Sequence, residues 1–487
     1  MLRTLERSNA KRRVKRQRPY HAGPRPDSSQ PEHTDLLPQI EHIVVLMMEN
    51  HSYDNYLGTL AGKGDGFPLD DQGNPIDPHG NRDASGALVP PHGLPRTQQS
   101  DDVPTQSWAA SHIQFADGEL NGFPYSIERT VPTHKQDAKV SMGYWEKDDL
   151  PFYHSLAATF PLATRWFSSC LGPTFPNRRF LISGTAHGLI DDVIASCYDW
   201  PPTGTIFDLL TAHGISWANY HNKPRWKVLL KAIFGRTGQR VGRRLLPYLA
   251  GIIPGIEHFV IGEFQFSADM YPRELLRTIN HALPLEQFFA ATADGSLPSF
   301  SLVDPDYGAF SEENPQDIQC GEGFAATVID AVMRGPGWPK TLLIWLYDEH
   351  GGYYDHVVPD EAPAPDGVAG TSLAERFPLL RKLPFLKGSL AKLDLADDGP
   401  RTYDRFGFRV PAVIVSPYAR QKCEVSDPFD HTSILRLVEE KWNLPALTKR
   451  DAAATAPLSA LDLKAPPAFL IPPVLADPAK PWTDTDE

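Results

Sequence analysis

Two apolar runs constrain this chain more than any other feature: His42-Ile43-Val44-Val45-Leu46-Met47-Met48 and Thr341-Leu342-Leu343-Ile344-Trp345-Leu346-Tyr347. Each is too short to cross a membrane, and neither alternates apolar with polar positions. That is the pattern of a strand buried on both faces, as in a parallel sheet covered by helices. Each run also stops abruptly in oxygen-bearing side chains. Glu49-Asn50 follows the first; Asp348-Glu349-His350 and then Gly351-Gly352 follow the second. Open α/β sheets place their chemistry at the carboxyl ends of such strands.

Carboxylates and a side-chain amide converging from two strand ends suit a hard divalent cation, because they provide oxygen ligands without imidazole or thiolate. Glu49, Asn50, Asp348 and Glu349 are therefore read as a metal site, with calcium, magnesium or manganese ahead of zinc. One acid after one strand is more often a cap or a solvated turn residue; two such strands together favour a site.

A nucleophile is expected in Gly172-Pro173-Thr174-Phe175-Pro176-Asn177-Arg178-Arg179. Thr174 falls at or just before a helix start, with Pro176 in the first turn. Backbone N–H groups and the positive helix end would stabilise an alkoxide or a phosphate oxygen there. Coordination of Thr174 to the metal would lower its pKa further. Asn177 and Arg178 are placed as substrate-binding residues, with Arg178 or Arg179 on a phosphate. Taken alone, the turn reads more simply as an N-cap with solvent-facing arginines.

The sequence resembles the phosphoesterase family of bacterial-type phospholipases C and related acid phosphatases. The resemblance is carried by Met47–Gly58 (MMENHSYDNYLG), Gly172–Gly188 (GPTFPNRRFLISGTAHG), Ser299–Gly308 (SFSLVDPDYG), Leu342–Val357 (LLIWLYDEHGGYYDHV), Phe406–Arg420 and Phe429–Trp442. Order and spacing match along nearly the whole chain after about residue 38. The resemblance implies an alkaline-phosphatase-like α/β fold, with a central, mostly parallel sheet between helices. It also implies metal ligands at Glu49, Asn50, Asp348 and Glu349, and a nucleophile at Thr174 that passes through a phospho-enzyme.

Two departures stand beside these matches. Where such proteins usually carry a histidine before the Ser-Trp pair, this chain has Gln106, ahead of Ser107-Trp108. Where they commonly carry His-Pro in the loop after the Asp-Pro strand end, it has Asn314-Pro315. Gln106 and Asn314 keep hydrogen-bond donors but no charge. Protonating a leaving group is worth roughly two to four orders of magnitude, so the proton would come from elsewhere, with His356, His350 and His431 as candidates. Gln106, Asn314 and His356 are accordingly kept as catalytic candidates. The expected function is hydrolysis of a phosphate ester, of phospholipase or phosphatase type. The alternative is a catalytically impaired relative that binds a metal or a phosphorylated ligand.

Alternating strands (Ser216–His221, Ser299–Asp304, Thr341–Tyr347, Val410–Ser416) and helices (Gly323–Met333, Thr432–Trp442) imply one domain over residues 38–463. An insertion is expected at about 223–273. Its Lys223–Ile261 part interleaves basic and apolar residues and is weighed between a surface helix and a peripheral membrane contact, with a phospholipid as one candidate substrate. Residues 1–37 read as a basic, disordered arm and 464–487 as a Pro- and acid-rich tail. The eight cations and one acid of residues 1–18 contribute +7 to a total of −13, leaving −20 on residues 19–487. An acidic body argues against nucleic acid as its partner. With no apolar stretch after the basic arm, a cytoplasmic location is expected. Cys170, Cys197, Cys320 and Cys423 show no metal-binding spacing.

Overall fold

The computed structural model describes residues 2–100, 103–192, 201–221, 280–376 and 399–482. Its centre is an eight-stranded sheet in the order β10-β4-β9-β8-β1-β7-β5-β6. The strands are β1 His42–Met48, β4 Leu162–Ala163, β5 Trp217–His221, β6 Ala282–Pro284, β7 Phe300–Val303, β8 Thr341–Tyr347, β9 Ala412–Val415 and β10 Glu424–Val425; β2 His92–Gly93 and β3 Gly143–Tyr144 form a separate pair. Five neighbours, β8, β1, β7, β5 and β6, run parallel. β9 is antiparallel to both β8 and β4, so the sheet is mostly parallel, as expected, with one reversed strand. The apolar run of β9 carries no sign of its direction, which depends on the length and path of its connections.

The two sequence runs lie side by side at the centre. β1 pairs with β8 in register from His42↔Thr341 to Met48↔Tyr347, and every β8 residue is buried. This register brings Glu49 and Asp348 to the same height, with the Asp348 N–H donating to the Met48 carbonyl at 3.2 Å. On the other side of β1, β7 pairs Val303 with Leu46, so Asp304 reaches the same edge. Three adjacent strands therefore end in carboxylates.

Helices Thr174–Ser183, Ile318–Arg334 and Thr432–Trp442 occupy the positions the sequence suggests. Asp317 opens the second by accepting from the Gln319 N–H at 3.1 Å, and Asn443 closes the third in the left-handed conformation, φ +48°.

The N-terminal arm differs from expectation. Leu2–Gln17 is helical, buries Ala10 and Val14, and lies on the helix Ile206–His213. Arg13 Nε meets Asp208 at 2.8 Å, and Gln17 donates to the same carboxylate at 2.9 Å. Two small apolar residues in a field of cations give almost no amphipathic signal, so the docking face was not legible. The tail lies on the domain: Phe469 accepts from the Trp338 indole at 2.9 Å, and Trp482 packs against Phe289, Phe310 and Phe324. The Lys223–Ile261 segment lies outside the described residues. Among the described cysteines, Cys170 is buried, and Cys320 and Cys423 are half-buried.

Candidate active site

Thr174 opens its helix at the carboxyl edge of the sheet, with Pro173 as N-cap, and all ten helix residues are buried. A helix this enclosed can be polar on every face only if each polar group is bonded within the protein, and the partners define the site. Asn177 turns inward: its Oδ1 accepts from the Cys170 N–H at 3.0 Å, and its Nδ2 donates to Gly172 and Pro173 carbonyls at 2.8 and 3.0 Å. It shapes the loop that presents Thr174, which corrects its assignment to substrate. At the far end, Gly184 closes the helix at φ +70°, its N–H donating to the Phe180 carbonyl at 2.9 Å.

Arg178 is likewise committed within the protein. Its Nε donates to Asp348 Oδ2 at 2.9 Å, its Nη1 to Asp304 Oδ1 at 3.1 Å and to the Tyr307 hydroxyl at 2.7 Å, and its Nη2 to the Met48 carbonyl at 3.1 Å. The guanidinium is the charge that allows buried acids of β8 and β7 to stand together. Arg179 faces away and donates to the Ala186 carbonyl at 2.9 Å. Of the two arginines expected to meet phosphate, Arg178 thus holds the sheet edge, a role sequence alone does not separate from ligand binding.

Thr174 Oγ1 donates to Asn50 Oδ1 at 3.3 Å, joining the nucleophile candidate to the end of β1. Asn50 has φ +70°, and its N–H donates to Asp348 Oδ1 at 3.1 Å. Asparagine tolerates the left-handed region better than most residues, which suits the tight turn there. The same Asp348 oxygen accepts from the Glu349 N–H at 2.8 Å, and Glu349 Oε2 accepts from the Gly351 N–H at 2.8 Å. Gly351 lies at φ +65° with the Asn50 carbonyl 1.8 Å from where a Cβ would stand, so only glycine lets the two strand ends approach.

The buried Glu49 Oε2, Glu349 Oε1 and Asn50 Nδ2 have no hydrogen-bond partner. Burial, together with the Glu313 and Asp348 carboxylates, raises the Glu49 pKa well above the ordinary range; burial and Asp348 do the same for Glu349. Unpaired, desolvated carboxylate oxygens from two strand ends fit a hard cation with oxygen-only ligation. Asp348 fits less directly, because Arg178 and two backbone amides already engage both its oxygens. Among the described residues, no three His, Cys, Asp or Glu side chains converge as a coordination set.

The helix N-terminus is not open as expected, because the Phe175 N–H donates to Asp192 Oδ1 at 2.9 Å. Gln106 and Asn314 are both partly exposed. The histidines divide by environment. Burial lowers His350 to about 3, and its Nε2 meets Gln114 Oε1 at 2.7 Å. Burial also lowers His431, whose Nε2 donates to the Asp348 carbonyl at 2.6 Å. Both are neutral at physiological pH and serve as props for the acidic turn.

For His356, burial works against protonation, but the Asp54 carboxylate 2.7 Å from Nδ1 outweighs it and raises the pKa. This ring belongs to a second cluster, in which buried Arg409 pairs with Asp54 at 3.2 Å and Asp355 at 2.8 Å. No bond links His356 to Thr174 or to the Glu49 and Asp348 turns. Asp304 and Tyr307 are absent from the sequence-based site; Asp304, an acid directly after an apolar run, carries the same signal as Asp348.

The Phosphoesterase family matches residues 40–445. Phospholipase C B of Mycobacterium tuberculosis is 31% identical over 96% of this chain and 82% of its own length. Non-specific phospholipase C1 of Arabidopsis thaliana is 28% identical over 85% of this chain and 69% of its own. A crystal structure of an alkaline phosphatase superfamily protein from Vibrio parahaemolyticus is similar over 92% of this chain and 78% of that one, at 9% identity and a TM-score of 0.35, too low a likeness to bear on the site.

Proposed function

The chain belongs to the Phosphoesterase family of phosphoric ester hydrolases, and from that premise we propose that it cleaves phosphodiesters of phospholipase C type by double displacement at Thr174. Thr174 Oγ attacks phosphorus in line with the leaving alkoxide, and water then cleaves the phospho-threonine. The supporting observation is the Thr174–Asn50 hydrogen bond at 3.3 Å, which joins a helix-start hydroxyl to a strand end with unpaired acid oxygens. A divalent cation held by Glu49, Asn50, Asp348, Glu349 and Thr174 would lower the hydroxyl pKa and offset charge on the phosphoryl oxygens.

The chain's own groups prepare that chemistry. Asn50 orients the hydroxyl, Arg178 fixes Asp348 against Asp304, and Asn177 holds the loop before the nucleophile. The partly exposed Gln106 and Asn314 are neutral donors for phosphoryl oxygens.

Charge favours the diester. The hydroxyl's partner Asn50 is bonded to Asp348, the next backbone N–H is taken by Asp192, and Arg178 is already shared between Asp348 and Asp304. A diester brings one negative charge where a monoester dianion brings two, so it meets less repulsion. The names of the phospholipase C relatives point the same way. The test compares p-nitrophenylphosphorylcholine with p-nitrophenyl phosphate, with and without EDTA, across acidic to neutral pH. Faster, EDTA-sensitive diester turnover is expected. A folded, metal-loaded protein inert on both would instead support the impaired, ligand-binding alternative.

A further inference from the structure

Behind the two ligand-bearing strand ends lies a buried carboxyl that the proposed chemistry does not use. Glu312 is fully buried, and three phenols donate to it: Tyr153 to Oε1 at 2.6 Å, Tyr56 to Oε2 at 2.7 Å, and Tyr347 to Oε2. Tyr347 is the last residue of β8, directly before Asp348. Tyr56 lies in the short helix Tyr53–Leu57 that follows Glu49-Asn50.

The backbone of Glu312 is bound to the same elements. Its carbonyl accepts from His51 Nε2 at 3.0 Å and from Gln99 Nε2 at 2.6 Å, and His51 is the residue after Asn50. The preceding carbonyl, of Ser311, accepts from the Glu49 N–H at 3.0 Å. Ser311-Glu312 is therefore bonded to the neighbours of Asn50 and Asp348 and to Glu49 itself.

The surroundings are built to admit this carboxyl. Glu312 has φ +77°, and its N–H donates to Gln316 Oε1 at 3.1 Å. Non-glycine residues are held in that region only where the surroundings over-determine it. A Cβ on Gly321 would come 2.1 Å from Glu312 Cγ, so glycine leaves the space the side chain fills. Above it, His51 stacks on Tyr56 with ring centres 4.2 Å apart and on Tyr353 at 5.2 Å.

We infer that Glu312 is a positioning residue for the cation site, fixing the ends of β1 and β8, and with them Glu49, Asn50 and Asp348, relative to one another. It touches neither substrate nor nucleophile. The inference rests on the proposed metal-dependent reading and adds a residue to it. Outer partners that orient ligands typically govern affinity by about 10–100-fold.

The test is Mn²⁺ binding by titration calorimetry to the full-length wild type, Glu312→Ala and Glu312→Gln, with kcat and KM for p-nitrophenylphosphorylcholine measured alongside. Glu312→Ala is expected to weaken Mn²⁺ binding about tenfold or more and to lower kcat with KM little changed. Glu312→Gln, which keeps one carbonyl acceptor, should recover part of both. If Glu312→Ala does not fold, Tyr347→Phe removes only one phenol hydroxyl from Glu312 and should weaken Mn²⁺ binding by less than is expected of Glu312→Ala. Wild type that binds Mn²⁺, with variants that bind it equally well, would overturn the inference alone. Wild type that binds no divalent ion would remove the metal reading and the inference together.

Discussion

Replacing Arg178 by methionine tests whether the sheet edge is held as described. The guanidinium contacts Asp304 at 3.1 Å and Asp348 at 2.9 Å, and both carboxylate side chains have no solvent exposure. Methionine approximates the aliphatic stem but leaves two desolvated acids facing one another. Breaking a buried pair by removing one partner costs about 3–5 kcal/mol. Surface salt bridges, worth about 0–1 kcal/mol, set the scale if the pair were marginal. Unfolding entropy of roughly 2 cal/mol/K per residue makes each kcal/mol worth about 1 °C at this length, so Tm should fall by about 3–5 °C. The assay is calorimetric melting of wild type and Arg178→Met in EDTA, so that no divalent ion replaces the lost charge. A fall below about 1 °C would refute the claim that this guanidinium neutralises both strand-end acids.

Two further expectations follow from buried groups and from the neutral donors. Burial pushes Glu322 up to about 7 and Glu312 up to about 8, against an ordinary value near 4.5. Between pH 4.5 and those values the folded chain holds protons that the unfolded chain has released, so stability should fall as pH rises through that window; urea melts from pH 5 to 8.5 check the slope, and Glu322→Gln should flatten it. Asn314→His would restore an imidazole and should raise p-nitrophenyl phosphate turnover relative to the diester at acidic pH, where the ring is charged; paired kcat/KM values read the ratio, and an unchanged ratio would count against Asn314 facing the phosphoryl group.

The central strands and their acids were legible because complete burial of a parallel strand writes itself as an unbroken apolar run, and an acid after such a run is chemically conspicuous. Glu49, Asn50 and Asp348 are read this way and Thr174 from its helix-start turn, and the structure brings Thr174 and Asn50 into contact. Arg178 and Asn177 were legible as residues but not by partner, since a guanidinium looks the same whether it meets a phosphate or two carboxylates from other strands. Glu312 was invisible for a related reason: its three phenols come from three separate segments. His356 lay in a suggestive motif, yet its Asp54 and Arg409 partners draw it into another cluster. The helix at residues 2–17 escaped because Ala10 and Val14 dock it with little apolar area, while Arg13, Gln17 and Asp208 do the rest.

The measurement closest to the central claim is an acid quench of the protein during turnover of p-nitrophenylphosphorylcholine, followed by mass spectrometry of the peptide containing Gly172–Arg178. Double displacement at Thr174 puts phosphate on Thr174 that disappears when substrate is exhausted, with neither label nor turnover in Thr174→Ala. Full turnover by Thr174→Ala, or steady turnover in wild type with Thr174 never phosphorylated, would contradict it.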